Sequence, residues 1–268
     1  MTMPHQILLL HFGVQCPWQP WVVEQVRQAA AELRSELRIV DVSEQPELAA
    51  HYRLFYPFMV VVDEKIRLPS PTTANKLVRI VNQGAEVPEL MLPNQLSEAV
   101  AETVKPLTVE NITDACALCI QSDNQSSQAK AAWARRIARQ VPEGFLGFAA
   151  YQGGETVGAV EVLPATLVPY PLPVKASEIA FITCLYSQED GLDYRGQLLE
   201  FLMGRLPEKG YRELQVVAGR RLPYPNGPED FFIRFGFERL DKIDQIVVSE
   251  GEDTLVLLRK ALKLSSFL

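Results

Sequence analysis

The stretch of this chain whose residue types could do the most chemistry runs from Cys184 to Leu198. An apolar run ends in Cys184-Leu185-Tyr186-Ser187, the polar residues Gln188 to Asp193 make a turn, and Tyr194-Arg195-Gly196-Gln197-Leu198 opens a segment with an apolar helical face up to Leu206. A long strand, a tight turn and a helix in that order form an anion cradle. Successive backbone N–H groups and the positive end of the helix point at whatever sits in the turn, which suits a pyrophosphate. Gly196 permits close approach. Further reactive side chains flank it: Cys184 immediately before Leu185, Glu178 as the only carboxylate of the predicted strand 178–187, and Tyr224 in the loop Arg220-Arg221-Leu222-Pro223-Tyr224-Pro225. The bland readings, Glu178 as an exposed residue at the strand's start and Cys184 as a small buried one, stand ahead of the chemical ones on sequence alone.

Two other cysteine features bear on chemistry. Cys116 and Cys119 form C-x-x-C beside Ile112, Ala115 and Ile120. A single such pair is a weak zinc signal, and core packing on a helix face is the reading adopted. Cys16 precedes a helix start, where the dipole favours a thiolate.

The composition bounds what these groups can serve. The chain has 268 residues, 47% hydrophobic and 22% charged, which is ordinary for a water-soluble globular protein and long enough for two domains. A net charge of −7 argues against a broad nucleic-acid footprint, because phosphate neutralisation needs clustered cations. His5, His11 and His51 all lie in the first fifth, so no His-rich metal site is expected later. Neither a basic-apolar leader nor a long apolar run is present, so the reading is cytoplasmic, with no membrane.

The elements that must position the reactive groups fall in two blocks. Gln6–Phe12, Leu37–Val42, Phe58–Val62 and Lys65–Leu68 read as strands, and Trp21–Leu33, Pro46–His51 and Thr72–Val81 as helices, giving βαβαββα. Residues 87–106, with Pro88, Pro93 and Pro106, read as a connection. Beyond it, Leu107–Ile112 starts a helix with Thr108 as N-cap, Asp123–Gln128 is a polar loop, and Ala129–Gln140 is a second helix exposing Arg135, Arg136 and Arg139. Phe145–Tyr151 and Thr156–Leu163 form a hairpin through Gln152-Gly153-Gly154-Glu155, and Glu178–Ser187 is the long strand. Strand Leu214–Ala218 and a short helix ended by Gly236 follow.

The first block, with Cys16-Pro17-Trp18-Gln19 after its first strand and Tyr56-Pro57 before its third, resembles the thioredoxin fold. Gln19 stands where that family's C-x-x-C has its second thiol, so two-thiol exchange is not expected. A module kept for packing or partner contact, and single-thiol capture by Cys16, both stay open.

The second block resembles the GNAT superfamily of acyl-CoA-dependent acyltransferases. Leu185-Tyr186-Ser187 through Arg195-Gly196-Gln197-Leu198-Leu199 matches its acyl-CoA motif, and Phe231-Phe232-Ile233-Arg234-Phe235-Gly236-Phe237-Glu238 its f-Y-x-k-x-G-F-e segment. The resemblance implies that the backbone of Leu185, Tyr186 and Ser187 pairs with a pantetheine arm, and that amides of Tyr194, Arg195, Gly196, Gln197 and Leu198 hold a pyrophosphate. Phe232 stands where the family places a Tyr that protonates the leaving thiolate; Tyr224, Tyr194 or Cys184 would have to replace it. The family's strand Glu aligns with Phe181, which leaves Glu178 as the candidate base.

The expectation is therefore an α/β chain of two domains: 1–86 thioredoxin-like, 87–106 linker, and 107–268 a GNAT fold with a mixed sheet. Its implied activity is acetyl transfer from acetyl-CoA, without a metal, to a small-molecule or peptide amine; a homodimer is compatible with it. The rival reading is a non-catalytic acyl-CoA or protein-binding module.

Overall fold

The computed structural model describes residues 4–84, 89, 91–92, 96–119, 124–188, 191–248 and 251–263. They form two compact units, one of Met1–Leu92 with Pro169–Pro171 and Asp244–Asp253, the other of Pro93–Val168, Leu172–Ile243 and Thr254–Leu268.

In the first unit the expected order βαβαββα is what forms. It runs β1 (Gln6–His11), α1 (Gln19–Leu33), β2 (Glu36–Asp41), α2 (Pro46–His51), β3 (Phe58–Val62), β4 (Ile66–Leu68) and α3 (Ala74–Gln83). The sheet order is β2-β1-β3-β4. β1 pairs parallel to β2 and antiparallel to β3, and β3 pairs antiparallel to β4. All five residues of β3 are buried, as expected of a strand covered on both faces. α1 begins at Gln19 rather than Trp21, because Pro20 at the first turn fixes a helical φ. α3 starts at Ala74, where the Thr73 hydroxyl accepts the Lys76 N–H.

His11 ends β1, and its Nδ1 has no hydrogen-bond partner. Burial pulls its imidazole below the ordinary value of 6.5, against the opposing pull of Asp41. A base whose folded pKa is lowered binds fewer protons folded than unfolded, so its contribution is present above 6.5 and is lost as pH falls below it. Urea midpoints at a series of pH values should show stability declining below 6.5, and His11→Phe should flatten that slope.

A seven-stranded mixed sheet in the order β12-β13-β11-β9-β8-β7-β6 belongs to the second unit, apart from the ends of β12 and β13 within 244–253. Its strands are β6 (Thr103–Leu107), β7 (Gly147–Gln152), β8 (Glu155–Pro164), β9 (Ile179–Ser187), β11 (Glu213–Gly219), β12 (Glu238–Val248) and β13 (Gly251–Ala261). β5 (Ser97–Glu98) and β10 (Leu192–Asp193) pair parallel to each other apart from it. The helices are α4 (Ile112–Cys116), α5 (Asn124–Ala138), α6 (Arg195–Arg205) and α7 (Glu229–Arg234). One core cluster joins alternate residues Ala180 and Ile182 of β9 and Leu214, Val216 and Ala218 of β11 to Leu198, Leu199 and Leu202 of α6 and to Phe232 and Phe237.

Several boundaries differ from expectation. Residues 97–107 carry β5 and β6 where a connection is expected; β6 is the sheet's edge strand, which tolerates Pro106 because a missing N–H there breaks no interior ladder. Thr108 is not a helix cap: α4 begins at Ile112, and the Asn111 side chain accepts the Thr108 N–H at 2.8 Å. The expected polar loop at 123–128 is helical from Asn124, since buried Ser126, Lys130, Trp133 and Ala134 share one face of α5. Arg135, Arg136 and Arg139 are exposed, as expected.

Candidate functional site

The site is set by how β9 and β11 part. They run parallel and pair from Ile179 with Glu213 to Ile182 with Val216, and the ladder ends there although β9 continues to Ser187 and β11 to Gly219. The cause lies on the other side of β9. Glu161 of β8 faces Cys184 and Val162 faces Ile182, so Thr183 is an extra residue, a bulge that bends the strand away. Carboxyl ends of parallel strands that diverge form the crevice in which open α/β sheets receive ligands.

Asn226 stands in this fork, on the loop after β11. The Leu185 N–H donates to its Oδ1 at 3.1 Å, and its Nδ2 donates to the Val217 carbonyl at 3.0 Å. One side-chain amide thus satisfies a backbone group on each parted strand, at 3% exposure. Tyr224, half-buried, lies two residues earlier on this loop.

The turn leading to α6 is held by its own side chains. The Ser187 hydroxyl lies 3.3 and 3.2 Å from the Val157 and Leu192 carbonyls and accepts the Tyr194 N–H at 3.3 Å. Tyr194 is buried at the N-cap of α6. The Arg195 N–H and Nε both donate to Asp193 Oδ1, at 3.0 and 2.8 Å, and Nη2 to Oδ2 at 2.8 Å. Burial pushes the Asp193 carboxyl up, but these bonds outweigh it and hold it below the ordinary value. Arg195 also lies 4.9 Å from the Phe231 ring centre. Gln197 clasps the Ala101 backbone, accepting its N–H at 2.8 Å and donating to its carbonyl at 3.3 Å. Ser97 and Ala99 donate to the Gly191 and Asp193 carbonyls, so residues 97–101 run along the turn. Glu189 and Asp190 lie outside the described residues.

Gly196 is needed for packing: a Cβ there would meet Phe235 Cζ at 3.1 Å. Gly196→Ala gains about 1 kcal/mol of helix propensity but overpacks by about 1–3 kcal/mol. A net loss of about 1 kcal/mol is expected, read from urea unfolding.

Leu185 thus stands at the fork through Asn226, Cys184 precedes it on β9, and Ser187, Tyr194, Arg195 and Gln197 hold the turn into α6. Glu178 does not join them. It precedes β9, exposed, and seven residues at about 3.3 Å each put it roughly 23 Å from Leu185 along the strand. Arg220 lies 3.5 Å from buried Glu229, which Arg239 also grips at 2.6–2.9 Å. Phe232 is fully buried between Phe231 and Phe237.

A cluster that sequence reasoning missed lies beside the bulge. Lys130 of α5, 1% exposed, sits 2.6 Å from Glu161, 5% exposed. Burial alone would depress the ammonium; Glu161, with the Cys116 and Cys184 thiols contributing, raises it above its ordinary value instead. Burial pushes the Cys116 thiol up to about 11, and pushes the Tyr186 hydroxyl, which donates to the Ala115 carbonyl at 3.2 Å, well above its ordinary value. The available signal was a lysine on the apolar stripe Lys130, Trp133, Ala134, Ile137, and one carboxylate inside the apolar run Val157–Leu163.

In the first unit, half-buried Cys16 lies in the turn before α1, and Gln19 is 8% exposed. Among the described residues no group of three His, Cys, Asp or Glu could hold a metal ion, and no helix is long and apolar enough to cross a membrane.

No protein-family model matches the chain. No curated protein matches it either. Similar solved structures are acetyltransferases. An N-acetyltransferase from Staphylococcus aureus Mu50 is 16% identical, with 60% of this chain and 98% of that chain covered and a TM-score of 0.44. A ribosomal-protein-alanine N-acetyltransferase from Brucella melitensis is 16% identical over 60% and 99%, at 0.42. A GNAT-family acetyltransferase from Streptococcus pneumoniae is 12% identical over 60% and 99%, at 0.46.

Proposed function

We propose that the second unit is an acyl-CoA-dependent acyltransferase of GNAT type that moves an acetyl group from acetyl-CoA to an amine. The observation that carries this reading is the parallel pair β9 and β11 forked at the Thr183 bulge, with the turn to α6 at its mouth. A fork of this kind offers strand edges to an extended, amide-bearing chain, and the start of α6 offers the N–H groups of Gly196 and Gln197 to a pyrophosphate, those of Tyr194, Arg195 and Leu198 being bonded within the chain. The sequence match at Leu185–Ser187 and Tyr194–Leu198 falls on these two places. Polarisation of a thioester carbonyl by Leu185 N–H would supply transition-state stabilisation. The first unit is read as thioredoxin-like, with Gln19 excluding two-thiol exchange.

A second reading is favoured by a specific observation. Asn226 fills the fork with an amide, the Asp193 carboxylate accepts the first N–H of α6, and Gln197 is committed to Ala101. A module that has turned its cofactor contacts inward would be a binding protein without turnover. Calorimetry with acetyl-CoA, followed by CoA release in the presence of an amine panel, separates the two: binding with release supports transfer, and binding without release supports the module. The full chain is the proper sample, because a fragment starting at Leu107 would lose β6 and the 97–101 segment.

A further inference from the structure

We propose that Cys184 is a nucleophile that carries the acyl group as a thioester before it passes to the acceptor. The proposal rests on the acyl-CoA reading above and adds a covalent step to it.

Four groups around the bulge supply what such a step needs. Cys184 is half-buried. Its cross-strand partner is Glu161, and partners in an antiparallel pair have Cβ atoms about 4.5–5.5 Å apart on one face. Lys130 holds the Glu161 carboxylate in place at 2.6 Å. The residue after the nucleophile, Leu185, directs its N–H into the fork, where it already binds the amide oxygen Asn226 Oδ1 at 3.1 Å. An N–H immediately after a nucleophile is the position from which a tetrahedral oxyanion is held in acyl transfer. Nucleophile, base, a group orienting the base, and an oxyanion donor are thus assembled at one bulge.

A fifth observation points to a polar occupant. The Thr183 hydroxyl, on a residue 7% exposed, has no hydrogen-bond partner. Buried hydroxyls are satisfied in most proteins, and an orphan at the mouth of a forked pair is a vacant donor and acceptor for a ligand.

The step balances without an oxidant. Glu161 takes the Cys184 thiol proton, and the sulfur attacks the thioester carbonyl while Leu185 N–H exchanges Asn226 Oδ1 for the developing oxyanion. The carbon–sulfur bond to CoA breaks, and Glu161 returns the proton to the leaving thiolate. The products are free CoA and a Cys184 thioester. An amine then attacks that thioester, the amide forms, and the amine's proton restores the thiol.

The test is exchange of isotopically labelled CoA into acetyl-CoA by the full chain with no acceptor present. A covalent route permits exchange; direct transfer in a ternary complex forbids it. The expected result is exchange in the native chain, abolished in Cys184→Ser and slowed about 10²–10⁴-fold in Glu161→Gln, as for loss of a general base. Because Glu161→Gln unbalances a buried pair, Cys184→Ser is the variant on which the claim stands, with its fold checked by circular dichroism. Peptide mapping after acid quench should place a hydroxylamine-labile acetyl group on Cys184. Acetyl-CoA binding without exchange overturns the covalent step and leaves the acyl-CoA reading intact. Label on Cys16, Cys116 or Cys119 instead of Cys184 overturns the assignment. No acetyl-CoA binding overturns both.

Discussion

Lys130→Met is expected to cost roughly 3–5 kcal/mol of folding stability, because it strips the partner from a carboxylate that is 5% exposed. The ammonium sits 2.6 Å from Glu161 with its whole stem inside α5's buried face, so no water replaces it. Removing both charges behaves differently. Lys130→Met with Glu161→Leu leaves no unpaired ion, and replacing a buried pair by apolar groups is commonly neutral or stabilising. The double variant should therefore recover most of the loss in urea unfolding. A single variant as stable as the native chain would show that Glu161 has no need of its partner. The pair lies opposite Cys184, where the proposed acyl step would take place.

Asn226→Ala is expected to cost on the order of 2–4 kcal/mol, since it orphans two buried backbone groups, the Leu185 N–H and the Val217 carbonyl. The ligand dependence of this loss is the informative part. If an acyl-CoA chain enters the fork, it can supply the partners that Asn226 no longer gives. Acetyl-CoA should then raise the unfolding temperature of the variant more than that of the native chain. An equal or smaller rise in the variant would place the ligand away from the fork.

Much of the architecture was legible because it is written in local pattern. The β3 run Phe58–Val62 is apolar at every position, Gly153-Gly154 marks the β7–β8 hairpin, and Gly236 marks the end of α7. The fork itself was half legible. The cradle order at Ser187–Leu198 reads from sequence, whereas the bulge at Thr183 has no local signal, since it arises from the register of β8 against β9. Asn226 was missed for a similar reason: a lone Asn between Pro225 and Gly227 looks like a turn residue until the parted strands on either side are seen. Glu178, the one carboxylate of the expected strand, lies just before β9 and far from Leu185, because a strand carries its first and last residues far apart. Glu161 pairs with Cys184, a relation between residues 23 positions apart that no motif encodes. Residues 87–106 read as a connection because of their prolines; an edge strand tolerates a proline as readily as a linker does, and only the pairing of β6 with β7 tells the two apart.

The fork between β9 and β11 is proposed to receive an acyl-CoA. Isothermal titration of the full chain with acetyl-CoA should show saturable binding at one site, with Asn226→Ala binding at least as tightly as the native chain. No heat of binding up to millimolar acetyl-CoA in both proteins would contradict it.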